Sequence, residues 1–208
     1  MNDLTKHYQE LFSKYGDDSR ALQHADEESQ TNRFKELLKE IPQDKKASFI
    51  DFGCGLGHLA NYLDEKELIS DYHGIDIVPE FIEHAAKKFS QKENINFHLL
   101  NILKDEPQFS PVDYVLVSGT YNNKMDNNEE FLFSSLEKLF KLTKKTMAIN
   151  LLSSYVDYKD DSLFYIDPKE VFDFAKKLTP LVTLRHDYSL KEGSFPYEYT
   201  VHFHKRGQ

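Results

Sequence analysis

The sequence predicts an α/β fold, a three-layer sandwich in which helices cover both faces of a mostly parallel, seven-stranded sheet. After residue 45, apolar runs of strand length alternate with longer helical segments, which is typical of a parallel sheet covered by helices. Two final strand-like runs are joined by a loop too short for a crossover helix, so they indicate a C-terminal antiparallel hairpin. The first 45 residues differ in character and predict an N-terminal helical cap.

The N-terminal cap is expected over residues 1–45, with one α/β domain over residues 46–208. The cap contains an apolar stripe with the spacing of a helix that buries one face, made of Phe34, Leu37, Leu38 and Ile41. Pro42 is predicted to end this helix, because proline cannot donate the next helical hydrogen bond.

Seven strands are predicted along the chain: Ala47–Phe52, Tyr72–Ile77, Ile95–Leu100, Val112–Ser118, Thr146–Leu152, Leu181–Tyr188 and Glu198–His204. Helices are predicted over His58–Glu67, after Pro79, around Leu132–Leu139, and over Pro168–Leu178, where apolar residues repeat with helical spacing. Pro79 suits the first turn of a helix, where the missing N–H is not needed.

A glycine-rich turn follows the first predicted strand, with Gly53, Gly55 and Gly57 at every second position. Glycine allows positive φ and a close approach of the backbone to a ligand, while the next helix offers unpaired N–H groups. A dinucleotide fingerprint would need glycine at position 58, where the chain has His58, so the spacing disfavours NAD. Such a turn can also be only a tight connection between strand and helix.

An acidic residue, Asp76, stands at the end of the second strand, 23 residues beyond Gly53. This is where a carboxylate can accept hydrogen bonds from both hydroxyls of a ribose. The alternative is a cap for the helix that starts near Pro79. Ligand binding is the stronger interpretation, because the turn and the acid support each other.

Three segments resemble the class I S-adenosylmethionine-dependent methyltransferases, which have a Rossmann-like fold: residues 49–57, 72–77 and 112–118. The resemblance runs from about residue 47 to the C-terminus and implies S-adenosylmethionine as cofactor. It implies contacts from Asp51, Gly53, Cys54, Gly55 and Gly57 to the methionine end, from Asp76 to the ribose, and from Ile77 to the adenine. Asn101, followed by Ile102, stands where the family often has an acid bonded to the adenine amino group, and an amide oxygen can also accept that bond.

The acceptor is expected beyond the carboxyl ends of the strands, over residues 118–124 and 150–155. Residues 118–124 lie where this family usually places residues that face the transferred methyl group. Ser118 is expected to contact the cofactor, and Asn150 in the second loop is a substrate candidate. Tyr121 and Asn122 are the candidate catalytic residues, although an ordinary polar loop is an alternative for any one of them.

The N-terminal stretch resembles the front of a group of small bacterial methyltransferases and is expected to act as a lid. Gln30 and Arg33 lie three residues apart on a helix, so they could both reach the cofactor carboxylate or an anionic substrate. A solvated helix face is the alternative interpretation. His24 is a further candidate in this segment.

Composition excludes several other classes of protein. Lys and Arg total 26 against 35 Asp and Glu, and this net charge of −9 disfavours nucleic acid as a partner. The start of the sequence lacks a secretory signal and no apolar run has the length of a membrane span, so a cytoplasmic location without a membrane partner is expected. The single cysteine, Cys54, is interpreted as structural, no metal site is expected, and His202 with His204 is predicted to be a surface pair.

The function predicted from the sequence is transfer of a methyl group from S-adenosylmethionine to a small molecule, at oxygen or nitrogen. The cofactor supplies the electrophile, so the protein mainly has to position the reactants. Two alternatives stay open at this point. One is a non-catalytic cofactor-binding subunit, and the other is an NAD-dependent oxidoreductase of the Rossmann type.

Overall fold

The structure is a computed structural model that describes residues 2–23 and 26–206. Within those residues, one sheet of eight strands forms the centre: β1 (Ala47–Phe52), β2 (Ile69–Asp76), β3 (Ile95–Leu99), β4 (Val112–Val117), β5 (Thr143–Ser153), β6 (Tyr165–Ile166), β7 (Leu181–Arg185) and β8 (Glu198–His204). The helices are α1 (Asn2–Tyr15), α2 (Glu27–Leu37), α3 (His58–Glu65), α4 (Pro79–Lys88), α5 (Asn128–Lys141) and α6 (Pro168–Leu178), with a short 3-10 helix at Ser19–Leu22.

The strand order is β3-β2-β1-β4-β5-β8-β7, and β6 pairs with β5 beside this path. The first five strands pair in parallel, whereas β8 is antiparallel to both β5 and β7. The predicted mostly parallel sheet with a C-terminal antiparallel hairpin is therefore confirmed. The two-residue strand β6 is an addition, because so short a run has no periodicity that could indicate it.

Most predicted boundaries are close to the observed ones, although β2 and β5 each begin three residues earlier than predicted, at Ile69 and Thr143. Two C-terminal ends also differ. The strand β7 ends at Arg185 instead of Tyr188. The helix α2 ends at Leu37 instead of running to Ile41, with Leu38 as its C-cap. The stripe is buried nonetheless, because the residues after the helix turn back against the sheet, and Leu38 and Ile41 belong to the same apolar cluster as Phe34 and Leu37.

The parallel pairing of β1 with β2 on one side and β4 on the other positions the functional site. Asp51 pairs with Gly74 in β2 and with Leu116 in β4, so these three strands end at the same edge of the sheet. The glycine turn after β1, the acid at the end of β2 and the loop after β4 therefore meet there. This is the crevice where open α/β sheets bind ligands.

The histidines of β8 differ from the sequence prediction. His202 is fully buried, and its Nε2 lies 3.1 Å from the carbonyl oxygen of Leu37 at the end of α2. The prediction of a surface pair is wrong for His202, because α2 covers this face of the hairpin. Its ring is parallel to that of His204 at a centroid distance of 6.1 Å.

Candidate functional site

A cavity opens at the carboxyl edge of the sheet, between the glycine turn and the N-terminal helices. Its floor comes from the ends of β1, β2 and β4 and the segment after β3, and its roof comes from α1 and the 3-10 helix. The lining residues are Leu4, Tyr8, Leu22, Gln30, Phe34, Asp51, Phe52, Gly53, Cys54, Gly55, His58, Leu59, Ile75, Asp76, Ile77, Val78, Phe81, Leu100, Asn101, Ile102, Ser118, Gly119, Thr120, Met125 and Phe131. The cavity thus contains most of the residues predicted to bind the cofactor.

The glycine turn has the backbone that the sequence predicts, with positive φ at Gly53 (75°), Gly55 (53°) and Gly57 (75°). A Cβ at Gly53 would lie 2.3 Å from Thr120 Oγ1, and one at Gly55 would lie 2.6 Å from Leu22 Cδ2. The positive φ favours glycine at both positions, and at Gly53 the close approach of the Thr120 side chain excludes a Cβ as well. Gly57 is the N-cap of α3 and makes no cavity contact itself.

Asp76 organises the turn as well as facing the cavity. Its Oδ2 accepts a hydrogen bond from the Gly55 backbone N–H at 2.9 Å, and its Oδ1 accepts from Ile77 and Val78 at 2.7 and 3.0 Å. Burial raises the pKa of Asp76, although the three backbone donors oppose this shift. A carboxylate has about four acceptor positions, so one remains for a ligand hydroxyl.

Asp51 lies at the base of the same turn and is only 2% exposed. Its Oδ2 accepts a hydrogen bond from the Tyr72 hydroxyl at 2.6 Å. Burial, together with a smaller effect of the nearby Asp76, raises the pKa of Asp51 to about 7, and the Tyr72 hydrogen bond opposes this shift. Among the described residues that line the cavity there are two carboxylates and no lysine or arginine, so its polar wall favours a cation.

Cys54 is buried in the turn, and burial raises the pKa of its thiol well above the usual range. The side chain fits beside Gly74, where a Cβ would lie 2.9 Å from the sulfur. A thiol held in its neutral form is a poor nucleophile. This supports the structural interpretation of Cys54.

The segments that border the adenine side of the predicted site contribute mainly apolar groups. Ile77 and Ile102 both line the cavity, and Ile102 is buried. Asn101 also lines the cavity, and its Oδ1 accepts a hydrogen bond from the Leu103 N–H at 3.1 Å. The amide oxygen predicted to accept from an adenine is thus already engaged in a local turn.

The loop after β4 brings Ser118, Gly119 and Thr120 to the cavity. The Ser118 Oγ is buried and has no hydrogen-bond partner among the described residues, while Thr120 Oγ1 donates to the Phe52 carbonyl at 2.7 Å. The candidate catalytic residues lie elsewhere. Tyr121 is buried in the core with its hydroxyl 2.7 Å from Ser135 Oγ, and neither it nor Asn122 lines the cavity.

A buried polar chain holds this loop from behind. The Gly119 N–H donates to Asn150 Oδ1 at 2.8 Å, and Asn150 Nδ2 donates to Glu198 Oε2 at 2.7 Å. Glu198 in turn accepts from Arg33 Nε at 2.9 and 2.8 Å. Asn150 and Glu198 are 1% exposed and Arg33 is 6% exposed. Arg33 and Asn150, which were expected to contact ligand or substrate, thus support the loop instead of lining the cavity.

A second polar group joins the cap to α3 at the cavity rim. His58 Nδ1 lies 3.0 Å from Gln30 Oε1, and His58 Nε2 lies 2.9 Å from Asp17 Oδ1. Asp17 also pairs with Lys88 at 3.0 Å. Gln30 therefore does face the cavity, as the sequence predicted, while His24 lies outside the described residues.

Several cavity residues were not found from the sequence. Tyr8 and Leu22 come from the cap, and a pattern confined to the sheet domain gives no signal for them. His58 directly follows the last glycine of the turn, and this position was the available signal. Glu198, which supports the loop after β4 from behind and does not line the cavity, had no signal, because it lies 165 residues from Arg33 along the chain.

No group of three or more residues able to hold a metal ion occurs in residues 2–23 and 26–206. In the same part of the chain, no helix is long and apolar enough to cross a membrane.

Comparison with known proteins gives the family. Residues 50–145 match a methyltransferase domain model. A Mycobacterium tuberculosis (strain ATCC 25618 / H37Rv) protein named "Putative methyltransferase Rv1506c" is 32% identical over 161 residues, which cover 74% of this chain and 90% of that protein. The phosphoethanolamine N-methyltransferase of Plasmodium falciparum (isolate 3D7) is 25% identical over 127 residues, covering 61% of this chain and 47% of that enzyme.

Solved structures show the same fold. The N-methyltransferase NodS from Bradyrhizobium japonicum WM9, in complex with S-adenosylhomocysteine, superposes with a TM-score of 0.67 at 14% identity, over 97% of this chain and 99% of that one. The small RNA methyltransferase HEN1 gives a TM-score of 0.66 at 18% identity, over 84% of this chain and 25% of that one. The chain therefore belongs to the class I S-adenosylmethionine-dependent methyltransferases and is an enzyme that uses S-adenosylmethionine as methyl donor.

Proposed function

We propose that this enzyme transfers a methyl group to an oxygen or nitrogen atom of a small molecule that is bound under the N-terminal roof of the cavity. The observation that carries the proposal is the combination of an acid-lined floor and a roof formed by the chain itself. The floor contains Asp51 and Asp76, and the roof contains Leu4, Tyr8 and Leu22. A covered cavity suits a compact acceptor better than a polymer.

The cofactor would lie along the glycine turn. The residues present fit this role, because Gly53 and Gly55 bring the backbone close, Asp76 keeps one acceptor position, and the floor carries negative charge. Ile77 and Ile102 offer apolar surfaces for an adenine ring, with Asn101 beside them. When bound, the cofactor supplies an electrophilic methyl group on a sulfonium sulfur.

The acceptor would lie against the loop after β4. Ser118 offers an unpaired hydroxyl there, and Met125 and Phe131 add apolar surface. The loop is fixed by Asn150 and by Thr120, so an acceptor bound to it would have a defined position relative to the turn. Positioning of this kind can lower a barrier by about 7–11 kcal/mol.

Charge supports a small molecule over a nucleic acid. The chain has a net charge of −9, and the described lining residues include no lysine or arginine that could neutralise a phosphate. A shared fold does not decide the acceptor, since HEN1 acts on small RNA and NodS is an N-methyltransferase.

We also propose that only part of the predicted cap is a lid. Residues 2–23, which we name the cap segment, cover the cavity. The helix α2 also lines the cavity, with Gln30 and Phe34, but it packs in the core with the sheet. The domain over residues 46–208 would then need α2 as a permanent part.

The first test measures binding of S-adenosylmethionine, S-adenosylhomocysteine and NAD by calorimetry. Asp76→Ala should weaken binding of the two sulfur compounds by about 1–3 kcal/mol, because it removes a charged acceptor and one anchor of the turn. Asp71→Ala is the matched control, since Asp71 lies on the same strand outside the cavity and contacts His73. Binding of NAD with no response to S-adenosylmethionine would contradict the proposal.

The second test follows transfer of an isotopically labelled methyl group in parallel screens of metabolite classes and of total RNA. Label should appear in a small molecule. The rate of transfer should depend on the position of Ser118 and Gly119 in the loop after β4. Label confined to RNA would refute the small-molecule acceptor and leave the methyltransferase assignment intact.

A further inference from the structure

The side chain of Leu22, near the end of the cap segment, lies against the glycine turn. The three nearest neighbours of a Cβ placed at Gly55 would be carbons of Leu22, at 2.6, 3.1 and 3.5 Å. Leu22 therefore occupies the space that the missing side chain of Gly55 leaves open. The same space lets the backbone of a glycine turn approach a ligand closely. Leu22 and a ligand that contacts Gly55 thus compete for one position.

The cavity beneath the cap segment is small. Its volume is about 110 Å³, whereas sites for small molecules and cofactors generally have about 300–1,000 Å³. Leu22 and Ile77 pack against the same apolar cluster, so the cap segment covers the expected adenine wall as well as the turn. This position of the cap segment therefore leaves less room than a nucleoside cofactor needs.

Polar contacts before and after Leu22 in sequence hold the cap segment over the cavity. Asn123 Nδ2 donates to Gln23 Oε1 at 2.8 Å, and Lys88 Nζ donates to Asp17 Oδ2 at 3.0 Å. These contacts join the cap segment to the loop after β4 and to the end of α4, outside the main apolar clusters of the sheet. They can therefore break while the sheet stays folded.

We propose that the cap segment is a gate for the cofactor: Leu22 blocks the glycine turn while the segment is closed, and S-adenosylmethionine enters only after the segment has opened. This inference rests on the proposed cofactor site and lid, and it adds the order of the two steps. The segment then closes again over the bound cofactor, with Leu22 displaced from Gly55. Binding thus requires an opening step that precedes contact with the ligand.

The gate sets an upper limit on the rate of binding. At high ligand concentration, the observed rate should level off at the opening rate of the cap segment, and this limit should be the same for S-adenosylmethionine and S-adenosylhomocysteine. Stopped-flow tyrosine fluorescence of the full chain follows the reaction, because the chain has no tryptophan and Tyr8 and Tyr15 lie in the cap segment.

The rate of binding separates this inference from the proposed function. A rate that rises in proportion to ligand concentration without a limit would overturn the gate and leave the cofactor site intact. Different limits for the two ligands would also overturn it, because they would indicate a closing step that follows binding. Absence of binding by both ligands in calorimetry would overturn the proposed function and this inference with it.

Variants of the roof test the role of Leu22. Leu22→Ala removes the side chain that covers Gly55, so the limit should disappear and the rate should rise in proportion to ligand concentration. Leu4→Ala is the matched control and should keep the limit, since Leu4 lines the same cavity but is not one of the three nearest neighbours of Gly55. An unchanged limit in Leu22→Ala would overturn the inference.

A third variant acts on the opening step and leaves the lining of the cavity unchanged. Asn123→Ala removes the bonds to Tyr8 and Gln23 that hold the cap segment closed. It should raise the limit by about 5–30 times, the factor expected for the loss of these two bonds. A closing step after binding would not be accelerated by this change, so an unchanged limit in Asn123→Ala would refute the gate.

Discussion

The cap segment and α2 adjoin each other in sequence but are attached to the sheet by different kinds of contact. The cap segment is held by Tyr8, Phe12 and Tyr15 on a small apolar cluster and by polar contacts at the cavity rim. The helix α2 instead contributes Phe34 and Leu37 to the main apolar cluster on one face of the sheet. A segment that must open for ligands has to be less stable than the core, so only the cap segment has the contacts expected of a lid.

The same contrast holds for the ion pairs. In the cap segment, Arg20 pairs with Asp18 with side chains that are 58% and 35% exposed. In α2, Arg33 pairs with Glu198 with side chains that are 7% and 1% exposed. An exposed pair contributes little, whereas loss of one partner of a buried pair leaves an uncompensated charge. The buried pair therefore ties α2 permanently to β8.

The largest expected effect comes from two truncations that separate these regions. Deleting residues 1–25 should leave a folded domain with weaker cofactor binding, because the core starts with α2. Deleting residues 1–45 removes four buried apolar side chains worth about 1.5–3 kcal/mol each, or about 6–12 kcal/mol together. Since a domain of this kind has a stability of about 5–15 kcal/mol, the shorter protein should not fold. Circular dichroism and urea unfolding check this, and a stable protein lacking residues 1–45 would contradict the division of the cap.

The second effect concerns the buried ion pair. Arg33→Met should reduce the free energy of unfolding by about 3–5 kcal/mol, because Glu198 is then left buried without its ion-pair partner. The double variant Arg33→Met with Glu198→Gln should recover much of this loss, since the glutamine can still accept from Asn150. Arg20→Met is the matched control and should leave the urea midpoint unchanged. A similar loss in both single variants would show that burial does not distinguish the two pairs.

The third effect is a dependence of stability on pH at the contact between α2 and β8. Burial lowers the pKa of His202 from 6.5 to about 4, with Leu37 as its hydrogen-bond partner. The stability due to the neutral imidazole is present above pH 6.5 and is lost as the pH falls through 4. At about 1.4 kcal/mol for each pKa unit, the loss is roughly 3 kcal/mol.

The check is urea unfolding between pH 7 and 4. The wild type should lose stability relative to His202→Gln as the pH falls, because glutamine can donate to the Leu37 carbonyl and does not titrate. Replacement of the exposed His7 in the cap segment by glutamine is the control and should not change the profile. Parallel profiles for wild type and His202→Gln would rule out a neutral, buried His202 as the cause.

Local patterns in the sequence were sufficient for the sheet and for most of the floor of the cavity. Strand periodicity located seven strands, and the spacing of Gly53, Gly55 and Asp76 located the cavity floor. The polar chain from Arg33 to Gly119 could not be predicted, because its members meet only after α2 packs on β8. Two polar residues on one helix face indicated a shared role, but Gln30 faces the cavity and Arg33 faces Glu198, a difference that only the tertiary packing decides.

Tyr121 is a single residue whose orientation the sequence pattern could not predict. Its place after a strand in a polar loop indicated a catalytic side chain, yet its ring packs between Phe52 and Phe131 with centroid distances of 6.2 and 5.5 Å. A sequence pattern locates a loop but does not give the direction of each side chain. The neighbouring residues Ser118 and Gly119 line the cavity instead.

The smallest effect tests the attachment of the cap segment to the cavity rim. Asn123 Nδ2 donates to the Tyr8 hydroxyl at 2.7 Å and to Gln23 Oε1 at 2.8 Å. Asn123→Ala removes both bonds, each worth about 0.5–1.5 kcal/mol, and leaves the backbone contacts of this residue in place. The cap segment should therefore open more often without a change in the stability of the sheet.

Hydrogen exchange measured by mass spectrometry distinguishes local from global opening. In Asn123→Ala, amides of residues 2–23 should exchange about 5–30 times faster, as expected for a loss of one or two kcal/mol, while those of α2 and the strands keep their rates. Asn127→Ala is the control, because Asn127 is exposed and its side chain makes no capping bond. Adding S-adenosylhomocysteine should slow exchange in the cap segment of both proteins. If exchange in α2 rises together with that in the cap segment, the two parts open as one unit and the lid extends through residue 37.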